Sequence, residues 1–307
     1  MTCIIAVTLA LGAGSAFAGS GAPVEDVRLG DILELLYRWR LALLALATLA
    51  VACLLWAGDV IRPGSIARSG QRDVNAYPAM IWIFAALLVY LTTAMSYTFA
   101  AQQPWITAQA PDGSLRYTAA VTGAAMTIAA IVAIGMSYLM ARGVTKTGLR
   151  VHPADLPLGL LALLLAYPVV ALVGSLAAGA HAAITSEPPS QLAHPILEAL
   201  SGNLADPWAW LLIAAVVLGA PIVEEILYRG FLQSAMLRAF KSPWIAIVCT
   251  SLVFTLAHAP GGIPWYALLT LFTLSIALGL AFERTRHIGV PIVMHVAFNA
   301  LNIAMAA

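Results

Sequence analysis

Apolar residues run along this chain in blocks of about twenty, separated by short polar stretches, which is the pattern of helices that cross a bilayer. The blocks fall at about 41–57, 78–101, 118–141, 158–182, 206–228, 244–259, 265–282 and 290–306. They predict an all-α fold, a polytopic transmembrane helical bundle of about eight spans. Past Gly230 the fifth block keeps helical spacing through Phe231, Leu232, Ala235, Met236 and Ala239, so its helix is expected to continue as an amphipathic extension to about Phe240. Ahead of the spans, residues 1–18 form a short apolar run ending Ala16-Phe17-Ala18. That ending is expected of a signal peptide, with an uncleaved extra span as the alternative. Residues 19–40 carry acids and bases together and are expected to lie at the membrane surface from Val24 to Arg40. No internal repeat, low-complexity tract or separate soluble domain interrupts the series.

Composition agrees with the pattern. Residues are 62% hydrophobic and 9% charged, whereas about a quarter of a soluble domain is charged. The net charge of +1 and the lack of a basic cluster with interleaved aromatics argue against a nucleic-acid partner. Cys3, Cys53 and Cys249 each sit alone in an apolar run, so neither a disulfide framework nor a cysteine metal site is expected. Lysines and arginines fix an expected orientation. Segments 58–77, 142–157, 229–243 and 283–289 hold eleven of them, and the intervening loops hold only Arg116. The basic side is expected in the cytoplasm.

Ionisable groups are costly at membrane depth and usually mark a function. The fifth block carries Glu224-Glu225-Ile226-Leu227-Tyr228-Arg229. Glu225 and Arg229 are four apart with the acid first, the favourable order for a helical ion pair. Glu224 points about 100° away around the helix, so Arg229 is not expected to neutralise both acids, and Glu224 becomes a candidate general base. His258 lies in the sixth block, and His295 and Asn299 share one face of the eighth. If a turn near Lys241 to Pro243 joins helices five and six, Glu224 and His258 both lie roughly 25 Å from it at about 1.5 Å per residue. Antiparallel packing then brings them to one level.

These residues resemble the motifs of the CAAX-protease and bacteriocin-processing (CPBP) intramembrane endopeptidases, formerly grouped as abortive-infection proteins. The family pattern is E-E-x-x-x-R, F-x-x-x-H and H-x-x-x-N on successive hydrophobic helices. Here it reads as Glu224-Glu225-x-x-x-Arg229, Phe254-x-x-x-His258 and His295-x-x-x-Asn299. The resemblance marks 155–307 as a catalytic transmembrane core and leaves the helices of 41–154 without an inherited role. It implies a peptide or protein substrate at the lipid bilayer and a cavity open to the cytosol, in a bacterial inner membrane. It also implies roles: Glu224 with His258 activating water, His295 with Asn299 binding the oxyanion, and Glu225 with Arg229 in support.

The family is commonly described as metalloproteases, and Glu224, His258 and His295 could form a three-ligand zinc site. The chain lacks H-E-x-x-H, however, and that ligand set would leave only Glu225 as base, so a metal-free, cofactor-free mechanism is preferred. Two other readings stay open. The polar cluster could hold helices together in a non-catalytic immunity or scaffold protein. Glu224 could instead serve a proton-coupled transporter, although no paired, interrupted helices in two similar halves support that.

Overall fold

All eight apolar blocks are helices in the computed structural model, which describes residues 24–68, 72–108, 110–144, 146–189, 200 and 203–306. The expected signal segment, 1–18, lies outside them. We number the long helices α1 Val24–Ala57, α2 Ala79–Ala101, α3 Leu115–Gly143, α4 Asp155–Thr185, α5 Pro207–Phe240, α6 Pro243–His258, α7 Trp265–Thr285 and α8 Gly289–Ala306. No strand occurs among the described residues. Seven of the eight are long and apolar enough to span a bilayer and the eighth is a shorter apolar helix, so this is an integral membrane protein. From Val24 onward the segment expected at the membrane surface is the first part of α1, continuous with the first span.

The most apolar window of α5 is 61% buried, against 6% for α1, which makes α5 the central helix and α1 a peripheral one. Helices α2, α3, α6 and α8 surround α5, while α4 packs on α7 and α8, and α1 packs on α4. Close contact between α4 and α8 depends on Gly159, since a Cβ there would meet Val293 at 2.6 Å. Lipid offers apolar side chains no gain from burial against one another, so small residues that admit close approach favour association.

Local chemistry sets where α5 begins and ends. Asp206 accepts from the Trp208 backbone N–H and Pro207 occupies the first turn, where its missing N–H costs nothing. The helix stops at Lys241, which adopts a left-handed conformation (φ 56°). Ser242 caps the next helix and Pro243 opens it. This tight turn fixes the relative register of α5 and α6.

Inside α5 the winding is not uniform. Ala215–Gly219 and Ile226–Leu232 are π-helical and flank the α-helical turn Ala220–Glu225. Pro221 explains the first stretch: it has no N–H to return to the preceding turn and its ring crowds the carbonyl four residues back. Such π turns recur at functional sites.

A second buried ion pair ties the ends of several helices together. Arg72, in the segment before α2, meets Glu283 of α7 at 2.6 Å with both side chains buried. Its guanidinium also donates to the Thr147 carbonyl at 3.0 Å and to Ser234 Oγ at 2.8 Å, and lies over the Phe282 ring. Gln233 of α5 donates to the same Glu283 oxygen at 2.8 Å. In the sequence Arg72 is one of the cations of segment 58–77, with nothing nearby to mark its partner. Nearby, Arg284 donates to the carbonyls of Asp59 and Val60 and to Ser65 Oγ, holding the segment after α1.

Candidate active site

Three helices bring the polar residues together. The α5–α6 turn places His258 beside Glu224, with Nε2 4.0 Å from Oε1. His295 of α8 approaches the other carboxylate oxygen, its Nε2 3.9 Å from Glu224 Oε2. Glu224 thus faces an imidazole on each side, and all three side chains are buried.

The far nitrogen of each ring fixes its proton. His258 Nδ1 lies 2.7 Å from the Phe254 carbonyl oxygen, which can only accept, so Nδ1 carries the hydrogen and Nε2 of the neutral ring turns its lone pair toward Glu224. His295 Nδ1 lies 2.7 Å from Glu225 Oε1 and donates to that carboxylate. A carboxylate so placed sets the ring's tautomer and stabilises the imidazolium when Nε2 takes a second proton.

Glu225 therefore does more than pair with Arg229. Its Oε2 sits 3.2 Å from Arg229 Nε, the expected pair one turn along the helix, while Oε1 orients His295 on α8. Arg229 is held in turn by Ser275 of α7, donating to its carbonyl at 3.3 Å and to its hydroxyl at 2.8 Å. Phe254 packs at the centre of these groups. Its ring lies 4.7 Å from the Arg229 guanidinium carbon and 4.6 Å from the His258 ring centre. Tyr228 meets the same ring edge-on at 5.0 Å.

Asn299 is buried one turn beyond His295. Its Nδ2 donates to the Val216 carbonyl at 3.1 Å, inside the first π stretch of α5. The amide so meets a carbonyl in the loosened turn before Pro221 and still holds a second N–H. Neither that bond nor the Glu225–His295 bond follows from local spacing, since each joins helices distant in sequence. The only local signal was Pro221, which foretells a disturbed turn.

The donor set has the chemistry of a metal site. Both histidines present Nε2 toward a carboxylate while Nδ1–H is bound elsewhere, as metal-ligating histidines do. The spacing does not fit: tetrahedral zinc with ligand bonds of about 2.0–2.1 Å separates its ligand atoms by about 3.3 Å, less than the 3.9 and 4.0 Å found here. Among the described residues no group of three histidine, cysteine or carboxylate side chains is arranged to hold a metal ion.

Among known proteins, the family model "Type II CAAX prenyl endopeptidase Rce1-like" matches residues 206–301, from the start of α5 into α8. That stretch holds all three motifs. No curated protein and no solved structure matches the chain.

Proposed function

We propose, from the match of residues 206–301 to the family model "Type II CAAX prenyl endopeptidase Rce1-like", that this integral membrane protein cuts a peptide bond of a membrane-associated protein or peptide by glutamate- and histidine-activated water attack. The site opens to the cytoplasm, the side on which the basic loops place the ends of α5 and α7. The observation that carries the reading is the single carboxylate, Glu224, set between two histidine Nε2 atoms at 3.9 and 4.0 Å.

A water oxygen about 2.8 Å from both Glu224 Oε1 and His258 Nε2, an ordinary hydrogen-bond length, subtends about 90° over the 4.0 Å gap between them. Two acceptors facing each other at that distance suit a donor placed alongside. Glu224 takes one water proton as the oxygen attacks the peptide carbonyl, and the second is directed to His258. The second N–H of Asn299 donates to the oxyanion, and His295, once its Nε2 has taken a proton from solvent, adds a charge-assisted donor whose ring Glu225 holds. The proton held at Glu224 then passes to the departing amine as the C–N bond breaks. Arg229, fixed by Ser275 and Phe254, keeps Glu225 in place. No step passes through a metal.

The test compares newly formed peptide termini in membranes containing the wild-type protein, Glu224→Gln or His258→Ala. Loss of general-base help should lower product by about 10²–10⁴-fold with equal amounts of protein in the membrane. Wild-type turnover in Glu224→Gln sinks the proposal. If both variants instead lose protein from the membrane and no peptide terminus depends on the wild-type chain, the cluster is structural.

A further inference from the structure

Away from Glu224, α5 and α8 border a cavity of about 630 Å³, within the range of about 300–1,000 Å³ typical of small-molecule sites. Its walls come from α3, the segment after it, α5 and α8, and are apolar, with Ile134, Ile222, Ile226 and Ile292 among them. Two cations also line it, Arg142 at the end of α3 and Arg150 in the segment that follows. Ile222 and Ile226 lie on the side of α5 opposite Glu224, at about 100° per residue, so this cavity is separate from the candidate active site.

Both arginines are exposed and neither has a carboxylate partner among the described residues. Arg142 lies over the Tyr138 ring at 5.5 Å, and Arg150 Nη2 reaches the Ala141 carbonyl at 3.4 Å. No acid lines the cavity. The nearest one on α4, Asp155, packs against Gly289 and already accepts from His287 Nδ1 at 2.8 Å and from the His152 backbone N–H at 2.7 Å. An apolar slot between spans, with two guanidiniums at one end and no competing carboxylate, matches a molecule with a hydrocarbon chain and an anionic head.

We propose that this cavity binds an anionic phospholipid, with an acyl chain between α3, α5 and α8 and its phosphate between Arg142 and Arg150. Guanidiniums suit phosphate because their forked donors match its oxygens. Basic pockets between spans on the cytoplasmic side take such headgroups. The proposal does not rest on the proteolytic reading, because it concerns a different cavity and is read by binding.

The experiment incubates the purified full chain in detergent with equal amounts of phosphatidylglycerol and phosphatidylcholine of identical acyl chains, and counts retained lipid by native mass spectrometry. Each basic residue near an anionic headgroup contributes about fivefold, so wild type should retain phosphatidylglycerol over phosphatidylcholine by about twenty-five-fold. Arg142→Gln with Arg150→Gln should abolish that preference. Ile292→Trp, which fills the slot and leaves both arginines, should lower retention of phosphatidylglycerol at least severalfold. Equal retention of the two lipids by wild type overturns the proposal without recourse to any variant. So does an undiminished preference in the double arginine variant, or full retention in Ile292→Trp, which would place the lipid elsewhere.

Discussion

Glu225→Gln takes one negative charge out of a fully buried site and leaves a side chain of the same shape, with a carbonyl oxygen still available to His295. Glu225 Oε2 and Arg229 Nε are 3.2 Å apart, so their attraction at an effective dielectric of about 20 is about 5 kcal/mol. Arg229 keeps Ser275 and the face of Phe254, contacts present in both proteins that therefore cancel. The expected net destabilisation is about 3–5 kcal/mol, the range for a buried pair broken from one side. The assay is unfolding of the purified protein in mixed micelles by a rising fraction of denaturing detergent. Arg229→Met and the double variant complete a cycle. Because the double variant no longer buries a lone guanidinium, the cycle should return a coupling of about 2–4 kcal/mol. Stability of Glu225→Gln within about 0.5 kcal/mol of wild type, or a coupling that small, refutes the reasoning.

Arg72→Met should cost about 3–5 kcal/mol by stranding Glu283, while the residual folded protein cleaves at the wild-type rate; a selective fall in kcat would instead tie Arg72 to the chemistry. Asn299→Leu should lose about 1–3 kcal/mol as the Val216 carbonyl is left unsatisfied, and cleavage should fall further than that loss explains; unfolding and cleavage measured on one preparation separate the two effects. Treatment with a strong chelator should leave cleavage unchanged. Activity lost on chelation and restored by zinc would refute the metal-free mechanism and make Glu224, His258 and His295 the ligands.

The eight spans were legible because a helix in lipid must be apolar along its length, and that property is local in sequence. The continuation of α5 to Phe240 followed from helical spacing alone. Glu225 with Arg229 was legible for the same reason, being one turn apart on one helix. The meeting of Glu224 and His258 needed one more step, that a tight turn at Lys241 fixes two antiparallel helices in register. Contacts between helices distant in sequence were not legible. Glu225 and His295 are 70 residues apart and Arg72 and Glu283 are 211 apart, and no periodicity links them. The motif phenylalanine is a similar case, since only the packed structure puts the ring of Phe254 against Arg229, His258 and Tyr228.

The match to the family model begins at residue 206, yet the walls around α5 start far earlier in the chain. Trp82 and Val89 of α2, and Met126, Ala129 and Ala133 of α3, belong to the same buried cluster as Val223, Ile226, Leu227 and Phe231 of α5. The clamp at the basic end draws one cation from before α2 and one acceptor from the segment after α3. Burial of Arg229 and both glutamates depends on neighbours that keep water and lipid off α5, because a charge pair exposed to water loses most of its attraction to dielectric screening. Helices α2 and α3 supply one side of that enclosure. The segment carrying the motifs therefore has the reactive groups, and the helices ahead of it supply part of the low-dielectric surroundings in which two adjacent carboxylates take different roles: Glu225 held by Arg229 and His295, and Glu224 turned toward two imidazoles.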